Sequence, residues 1–374
     1  MPTAVVVGGG LGGLAAAIGL ERAGFEVGVY EQAVGSRREG GSISLWPNGT
    51  AALAALGVVP SRVQLIERVR LKDGKARDLL DLDVAAVSKK YGHQSINVWR
   101  QDLIADLTDA FHGSIHFDKR CVGIGPGVES SVAAFADGTT AEGDLLIGAD
   151  GVHSAVRQAR WGGHATYAGT TCWEGQLDEF PSQLRPETVI AVATASTYAM
   201  AFPMPDRRVH WFVDHRQPLS ESDGPDRPIL KAICSRWPQP FPALVAATDP
   251  QDMYRIPIYV RRPPRRWFSG RTVLLGDSAH GMGPALGQGG AQAFVDAVVL
   301  HTALGARGDL DAALKQYQRQ RSAAVQRLWF GSNLTLRMRR TGVLELATRL
   351  TPPTLAYRSF AHSVAPDRQV RQAL

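Results

Sequence analysis

The chain has 374 residues, which is enough for two domains or for one large interlocked unit. Its 44% hydrophobic and 20% charged residues exclude a disordered chain, and its three cysteines, Cys121, Cys172 and Cys234, exclude a disulfide framework. Because the net charge of +6 is spread over the chain, no apolar run reaches membrane-span length, and no histidine spacing matches a metal site, we expect a cytoplasmic protein without nucleic acid, membrane or metal.

The first thirty residues have the pattern of a strand, a glycine-rich loop, a helix and a second strand. Residues 4–7 are a short β-branched run, which is typical of a buried parallel strand. Residues 14–23 are good helix formers, and Gly24 is placed to end the helix. Residues 25–30 then form the second predicted strand, so this region is predicted to be a βαβ unit.

Gly8, Gly10 and Gly13 follow the spacing Gly-x-Gly-x-x-Gly between the first strand and its helix. In a dinucleotide site these glycines allow a tight turn, the approach of a pyrophosphate, and close packing of helix on strand. Glu31, at the end of the second strand, can bind a ribose diol and disfavours a 2′-phosphate. The loop therefore predicts FAD or NAD binding, with a glycine-rich packing loop as the alternative.

Two later acids follow predicted buried strands. Residues 145–148 lead into Asp150 and Gly151, and residues 272–275 lead into Asp277. Residues 284–290 then form a glycine-rich loop that opens a helix near residue 291, which is a second helix N-terminus beside an acid. Further helices are predicted near residues 50–56, 100–111 and 309–340, and short strands between residues 115 and 149.

Residues 166–262 differ from this pattern because alternating strands and proline-rich turns replace it. The predicted fold class is α/β: a Rossmann-type parallel sheet, which the family resemblance given next implies to be FAD-binding, an inserted, mostly antiparallel substrate domain, and a C-terminal helical segment. The first FAD-binding part is predicted at residues 1–165, with a short excursion to the substrate side at about 65–98. The substrate domain is predicted at 166–265. The second FAD-binding part, which includes the long helix, is predicted at 266–345, and a tail at 346–374.

The three motifs in this order resemble the FAD-dependent aromatic hydroxylases built like p-hydroxybenzoate hydroxylase, and the resemblance extends to about Leu300. Residues 41–49 and 99–103 are most similar in style to urate-hydroxylase-like and salicylate-hydroxylase-like members. The resemblance implies non-covalent FAD, NADH or NADPH as a transient co-substrate, and hydroxylation of a small aromatic or heteroaromatic substrate with O₂ through a flavin hydroperoxide. A flavoprotein of the same fold that does not hydroxylate, such as a reductase, an oxidase or a binder of a biosynthetic intermediate, is the alternative.

The resemblance also implies roles for individual residues. Arg100 would contact the ribityl or phosphate part of FAD, Asp277 would hold the ribityl chain, and residues 286–290 would line the pyrimidine edge of the flavin. Cys121, near the end of a strand, would lie beside the adenine, and the Asp150 segment would contribute to FAD and NAD(P)H binding. The full set of expected cofactor residues is Gly8, Gly10, Leu11, Gly12, Gly13, Glu31, Gln32, Gly41, Ser44, Arg100, Cys121, Asp150, Asp277, Pro284, Leu286, Gly287, Gln288, Gly289 and Gly290.

A hairpin in the middle block is the expected wall of the substrate pocket. If residues 196–203 and 208–214 pair around a turn centred on Asp206, alternate side chains share one face. This face would comprise Tyr198, Met200, Phe202, His210, Phe212 and Asp214. Met200, Phe202, Phe212 and Pro284 are the expected substrate contacts.

His210 and Tyr198 are the catalytic candidates on this face. An imidazole can draw a proton from a substrate hydroxyl and so raise the nucleophilicity of the ring, although a hydrogen-bonded strand histidine is the alternative. Urate-type relatives are expected to use an arginine near the position of Tyr198, which argues against urate as substrate. His280 is expected to be structural, and the arginines of the 309–340 helix, Arg321 among them, are expected on a solvated face. The oligomeric state is not fixed by the sequence.

Overall fold

A computed structural model describes residues 1–35, 41–125, 130–182, 184–194, 196–219, 226–305, 308–340 and 343–374. The strands are β1 (Thr3–Val7), β2 (Glu26–Tyr30), β3 (Ser42–Leu45), β4 (Gln64–Leu65), β5 (Arg68–Asp73), β6 (Asp78–Asp83), β7 (Ile96–Trp99), β8 (Ser114–His116), β9 (Cys121–Ile124), β10 (Ser131–Phe135), β11 (Thr140–Gly143), β12 (Leu145–Gly148), β13 (Thr166–Leu177), β14 (Thr188–Ala193), β15 (Thr197–Met204), β16 (Arg208–Arg216), β17 (Met253–Val260), β18 (Phe268–Ser269) and β19 (Thr272–Leu274). The helices are α1 (Leu11–Arg22), α2 (Pro47–Ala55), α3 (Val84–Tyr91), α4 (Arg100–Asp109), α5 (Ala155–Trp161), α6 (Asp226–Cys234), α7 (Phe241–Ala247), α8 (Asp277–His280), α9 (Gly289–Gly305), α10 (Leu310–Arg340), α11 (Val343–Leu350), α12 (Pro353–Ser363) and α13 (Arg368–Ala373).

The first sheet has the strand order β18-β19-β12-β1-β2-β8 and is parallel except for β18. Its central strand β1 is buried from Ala4 to Val7, as the β-branched run predicts. Val7 pairs with Tyr30 on one side and with Gly148 on the other, and Gly148 pairs with Leu274. The carboxyl ends of these four strands therefore lie at one edge of the sheet, where a ligand crevice is expected in an open α/β sheet.

The second large sheet has seven strands in the order β17-β13-β16-β15-β14-β5-β6 and is antiparallel except for the pair β14 and β5. Strands β5 and β6 come from the 65–98 excursion, so the first part of the chain contributes to this sheet. One face carries Trp173, Trp211 and Val213, which pack under α6 and α7 in a core of their own. The opposite face is left to face the FAD-binding part.

The hairpin of β15 and β16 has the predicted register. Tyr198 pairs with Asp214, Met200 with Phe212, and Phe202 with His210. The turn between them is a 3₁₀ segment in which Asp206 has a φ of +61°. Six side chains therefore alternate onto the face turned away from the α6 and α7 core, as the period of two predicts.

The C-terminal segment around α12 is packed against α2 and α3. The Tyr91 hydroxyl donates to the Ala361 carbonyl at 2.9 Å, and the Asn48 N–H donates to the Val364 carbonyl at 3.0 Å. Phe360 of α12 meets Trp46 edge to face at 5.1 Å between ring centroids. The segment expected as a tail is thus a structural part of the molecule. Within the described residues, no helix is long and apolar enough to cross a bilayer.

Candidate active site

The loop between β1 and α1 has the geometry of a phosphate-binding turn. Gly8 has a φ of +108°, and a Cβ atom there would lie 2.5 Å from the Ala149 carbonyl oxygen. A Cβ atom on Gly13 would overlap with the Gly8 carbonyl oxygen, so both positions require glycine. Gly10 faces open space, with the Arg100 guanidinium 3.9 Å from the place of a Cβ atom. Because the first N–H groups of α1 have no partner within the helix, this opening can accept a pyrophosphate.

Glu31 lies beside this loop and is fixed by two backbone bonds. Its Oε2 accepts a hydrogen bond from the Gly9 N–H at 2.7 Å, and its Oε1 accepts one from the Ala33 N–H at 2.9 Å. Each carboxylate oxygen keeps a further lone pair that can accept from a ribose hydroxyl. The acid therefore has the position and the free acceptor capacity that the sequence predicts.

One cavity of about 620 Å³ connects the glycine loop to the seven-stranded sheet. It runs from Gly8 and Glu31 past Arg100 to Glu174 on β13 and Ile256 on β17. Its volume is typical of a cofactor or ligand site. The expected cofactor residues that line it are Gly8, Gly10, Glu31, Gln32, Gly41, Arg100, Cys121 and Asp150.

Cys121 lines the cavity, but its expected place in a strand is wrong. It begins β9 instead of lying near the end of a strand, because the chain leaves β8, turns at Asp118 with a φ of +58°, and only then pairs with β10. Burial raises the pKa of the Cys121 thiol to about 11. The thiol is therefore neutral near pH 7, and only the backbone and the neutral side chain are presented to a ligand.

Other expected cofactor residues act behind the cavity wall. Leu11 and Gly13 are buried in the first turn of α1, and a Cβ atom on Gly12 would lie 3.1 Å from the Ala293 side chain, which marks close packing of α1 on α9. The Ser44 hydroxyl donates to Asn97 Oδ1 at 2.6 Å. These residues hold the elements that carry the site.

Asp150 follows β12 and organises the turn that leads into α5. Its Oδ1 accepts from the Ser154 hydroxyl at 2.5 Å, and its Oδ2 accepts from the Val156 N–H at 3.1 Å. Burial raises the pKa of the Asp150 carboxyl, and these two bonds act in the opposite direction. Gly151 has a φ of +80°, so the turn requires a glycine directly after the acid.

Asp277 begins α8 at the edge of the first sheet. Asp277 is solvent-accessible, yet protein atoms crowd its carboxyl and this loss of surrounding water raises its pKa, while His280 and Arg100 act to lower it. Arg100 lines the 620 Å³ cavity, whereas Asp277 does not. Asp277 Oδ1 lies 3.8 Å from the place of a Cβ atom on Gly289, so this acid stands beside the start of α9.

The loop after α8 forms the second helix N-terminus. Residues 284–286 make a 3₁₀ turn, Gly287 has a φ of +58°, and α9 begins at Gly289. Gln288 is buried and does not project freely, because its Oε1 accepts from Asn48 Nδ2 at 2.7 Å. Leu286 and Gly290 are partly accessible and Pro284 is exposed, so the backbone of this loop is available to a planar ring.

A buried ionic network supports the turn at Asp277 from behind. Asp296 on α9 accepts hydrogen bonds from the Gly276 N–H at 3.0 Å, from His280 Nε2 at 2.6 Å and from Arg321 Nε at 2.6 Å. Arg321 also pairs with Asp367 at 2.8 Å. The expectation that Arg321 lies on a solvated face is therefore wrong: it is 1% exposed because α10 turns it toward Asp296. His280 has a structural hydrogen bond, as expected.

The predicted substrate face is present but is more deeply buried than a bare pocket wall. His210 and Phe202 are 4% and 7% exposed, and their rings stack at 5.9 Å. Tyr198, Met200 and Phe212 are half-buried. The residues of this face do not line the 620 Å³ cavity, and Phe202, Met200 and Phe212 pack in a cluster with Tyr357 and Phe360 of α12. A wall from the C-terminal helix is a feature that the sequence did not indicate.

His210 joins the two halves of the site. Its Nδ1 is 2.9 Å from the Ser42 hydroxyl, and its Nε2 is 3.4 Å from Glu174 Oε2. A Cβ atom on Gly41 would touch both His210 and Glu174, so the β3 backbone lies directly against this pair. Glu174 is 22% exposed and lines the cavity, which makes it the acid between the cavity and His210. Sequence reasoning missed Glu174 because its place depends on the long-range pairing of β13 with β16.

Comparison with known proteins decides the family. The family model described as "FAD binding domain" matches residues 1–330. The chain belongs to this family. It is 34% identical to a FAD-dependent urate hydroxylase of Klebsiella pneumoniae, over 87% of each chain. It is 31% identical to the 3-amino-4-hydroxybenzoate 2-monooxygenase PtmB3 of Streptomyces platensis, over 87% of this chain and 85% of that one. The crystal structure of Klebsiella pneumoniae HpxO complexed with FAD and uric acid superposes with a TM-score of 0.89 at 28% identity, covering 97% of this chain and 96% of that one.

The expected fold class, cofactor and reaction type are thereby confirmed. The chain is an FAD-dependent monooxygenase of the aromatic hydroxylase type, with NAD(P)H as co-substrate. The residues described above fit this cofactor. The glycine loop and the start of α1 suit a pyrophosphate, Glu31 suits a ribose, and the cavity extends from there to the seven-stranded sheet.

Proposed function

We propose that this flavoenzyme hydroxylates a small hydroxylated heteroaromatic compound, bound where the cofactor cavity meets the seven-stranded sheet. One observation carries the proposal: Glu174 and Ile256 of that sheet line the same cavity as Gly8 and Glu31 of the dinucleotide loop. The cavity therefore offers a cofactor bound at the loop a path toward the substrate-side sheet. FAD bound there would supply the redox chemistry, with NAD(P)H as electron donor, so that one oxygen atom of O₂ enters the substrate and the other leaves as water.

The cofactor-binding roles follow from the positions of the side chains. Gly8 and Gly10 leave the backbone open to the pyrophosphate, and Glu31 accepts from the adenosine ribose. Arg100, whose guanidinium lies 3.9 Å from the place of a Cβ atom on Gly10, offsets phosphate charge and orients the ribityl chain together with Asp277. The loop at residues 286–290 presents backbone N–H groups to the flavin at the start of α9.

We assign the substrate-binding role to one face of the β15 and β16 hairpin, which lies outside the lining of the 620 Å³ cavity and adjoins it through His210 and Glu174. Met200, Phe202 and Phe212 offer an apolar wall with ring contacts, including a 5.7 Å contact between Phe202 and Phe212. Pro284 begins the exposed 3₁₀ turn before α9, and we assign to it the opposite side of the substrate pocket. A flat aromatic ring placed between them would be excluded from water, which protects the reactive oxygen species from side reactions.

His210 and Glu174 are placed to accept a proton from the substrate. We assign to them the proton of a substrate hydroxyl: Glu174 faces the cavity, and His210 lies behind it with Nε2 toward the carboxylate and Nδ1 toward Ser42. Removing that proton raises the electron density of the substrate ring at the carbon that receives oxygen. Tyr198, across from Asp214 in the hairpin, orients the substrate through its phenol.

The substrate is proposed to differ from urate. The relatives named for urate are expected to place a cation near the position that Tyr198 occupies, and a phenol cannot neutralise an anionic substrate. A hydroxylated ring that is neutral or protonated on binding suits this wall better. Urate turnover by the purified enzyme at a rate equal to that of the best alternative substrate would overturn this part.

The test compares three variants with the parent enzyme on its best substrate. His210→Ala and Glu174→Gln should retain FAD and lose about a hundredfold or more in kcat/KM, the usual effect of removing general acid–base assistance. Tyr198→Phe should mainly raise KM. Glu179→Gln is the matched control, since Glu179 is an exposed acid close to the end of the same strand. If His210→Ala and Glu174→Gln both keep full FAD content and unchanged kcat/KM, the proposed site is wrong.

A further inference from the structure

A second cavity lies between the segment after β17 and α10, and it shares no lining residue with the cofactor cavity. It has a volume of about 870 Å³ and is bounded by the segment after β17 and by one face of α10. Three arginines line it, Arg262 and Arg265 from the segment and Arg337 from the helix, together with the rings of Trp329 and Phe330. We name this the arginine groove. Neither the proposed reaction nor the FAD site uses it.

The charges in the groove are not neutralised by the protein. All three arginines are exposed, and within the described part of the chain none of their guanidinium groups forms an ion pair or a hydrogen bond. Unpaired guanidinium groups that converge on one cavity favour a ligand with phosphate groups, because their planar donors match phosphate oxygens.

The backbone that carries these side chains is fixed. The Arg262 carbonyl accepts a hydrogen bond from Arg157 Nη2 at 2.5 Å, and Trp329 Nε1 donates to the Gly281 carbonyl at 3.2 Å. The Trp329 ring is therefore held in place, while Phe330 next to it is 63% exposed. A planar nucleotide base can stack on such rings. The fixed indole of Trp329 and the accessible ring of Phe330, next to the arginines, therefore suit a base.

The arginine groove is separated from the cofactor cavity by one strip of backbone. The Gly281 carbonyl accepts a hydrogen bond from the Arg261 N–H at 2.7 Å as well as the bond from Trp329. On the other side of this backbone, a Cβ atom on Gly281 would lie 2.8 Å from the Val152 side chain. Val152 lines the cofactor cavity. A ligand in the groove thus lies next to the wall of the flavin site and can extend over its rim.

We propose that the arginine groove binds the adenosine-phosphate end of NAD(P)H, with the phosphates on the arginines and the adenine on Trp329 and Phe330. The proposal rests on the use of NAD(P)H by the enzyme. NAD(P)H needs a binding site apart from that of FAD. The glycine loop beside Glu31 is the one Gly-x-Gly-x-x-Gly sequence between a strand and a helix, and FAD occupies it. No bond is made or broken in the groove itself.

The test uses the FAD-loaded enzyme with Arg265→Ala, Arg337→Ala and the double variant. Each single change should raise the Kd of ADP, measured by titration calorimetry, and the KM of NAD(P)H by about tenfold, the loss of one charge-assisted hydrogen bond. FAD content, kcat at saturating NAD(P)H and the KM of the aromatic substrate should not change. Arg327→Ala is the matched control, because Arg327 is an exposed arginine of α10 that does not line the groove.

The outcomes separate this inference from the proposed function. Unchanged ADP binding in the double variant, an equal loss in Arg327→Ala, or inorganic phosphate binding as tightly as ADP would each overturn the groove assignment. Self-association that depends on Phe330, without ADP binding, would assign the groove to a second copy of the chain and also overturn it. If the parent enzyme binds ADP in the groove but does not oxidise NAD(P)H, the groove assignment stands for a nucleotide and the proposed function fails.

Discussion

Asp296→Asn removes the buried negative charge that Arg321 and His280 share behind Asp277 and leaves the shape of the side chain nearly unchanged. The carboxylate is fully buried and accepts from Gly276, His280 and Arg321 at 2.6 to 3.0 Å. The amide of asparagine has one oxygen that accepts hydrogen bonds, and its NH₂ group donates. At one of the two carboxylate positions, a donor would therefore face another donor. Arg321 would then remain buried with Asp367, which is 36% exposed, as its remaining acid partner.

The expected loss in the free energy of unfolding is about 3–5 kcal/mol, because breaking a buried pair leaves an uncompensated charge in the interior. Burial raises the pKa of Asp296, but Arg321 and His280 more than offset this, so the pKa lies below its ordinary value. A depressed carboxyl pKa stabilises the fold above the unfolded pKa of about 3.9, and the contribution is lost as the pH falls through the folded-state pKa. The difference in the free energy of unfolding between the parent and Asp296→Asn should therefore become smaller in strong acid.

Urea titration of the FAD-free proteins at neutral and at acid pH measures both effects. Asp311→Asn is the control, since Asp311 forms an exposed pair with Arg271 at 3.6 Å and should cost at most about 1 kcal/mol. FAD affinity should also fall in Asp296→Asn, because Gly276 and the turn at Asp277 lose their anchor. The reasoning is refuted if Asp296→Asn unfolds at the same urea concentration as Asp311→Asn.

Two further predictions concern FAD itself. Gly10→Val should give a folded protein that purifies without flavin absorbance, since a side chain there would occupy the approach of the pyrophosphate; flavin retained at the parent's level would count against this loop. Asp277→Ala and Arg100→Ala should each weaken FAD affinity about ten- to a hundredfold, the loss of one charge-assisted hydrogen bond of about 1.5–3 kcal/mol; fluorescence titration of the apoenzyme with FAD measures it, and unchanged affinity in both would remove them from the site.

The local parts of the fold were predictable because local chemistry determines them. The β1 run, the glycine spacing and Glu31 fall within the first 31 residues, and the structure places them as predicted. The register of β15 and β16 was predicted on the condition that the turn is centred on Asp206, and the structure has that register; a slip of one residue would have moved every side chain to the other face.

The long-range parts could not be predicted from one sequence. Glu174 lies beside His210 only because β13 pairs with β16, and Asp296 meets Arg321 only because α10 packs on α9. The helical pattern predicted that Arg321 lies on the solvated face with the other arginines of α10. It is buried instead, because it pairs with the buried Asp296 of α9. Phe360 reaches the hairpin cluster because α12 folds back onto it, a tertiary contact with no local signal.

We propose that this chain inserts one atom of O₂ into a heteroaromatic ring at the expense of NAD(P)H. The direct measurement is the product mass after turnover under ¹⁸O₂ with a panel of hydroxylated heteroaromatic compounds, read together with NAD(P)H consumption. We expect one compound to accelerate NAD(P)H oxidation and to yield a product carrying one ¹⁸O atom. The proposal is contradicted if every compound that accelerates NAD(P)H oxidation is recovered unlabelled and all the O₂ consumed appears as hydrogen peroxide.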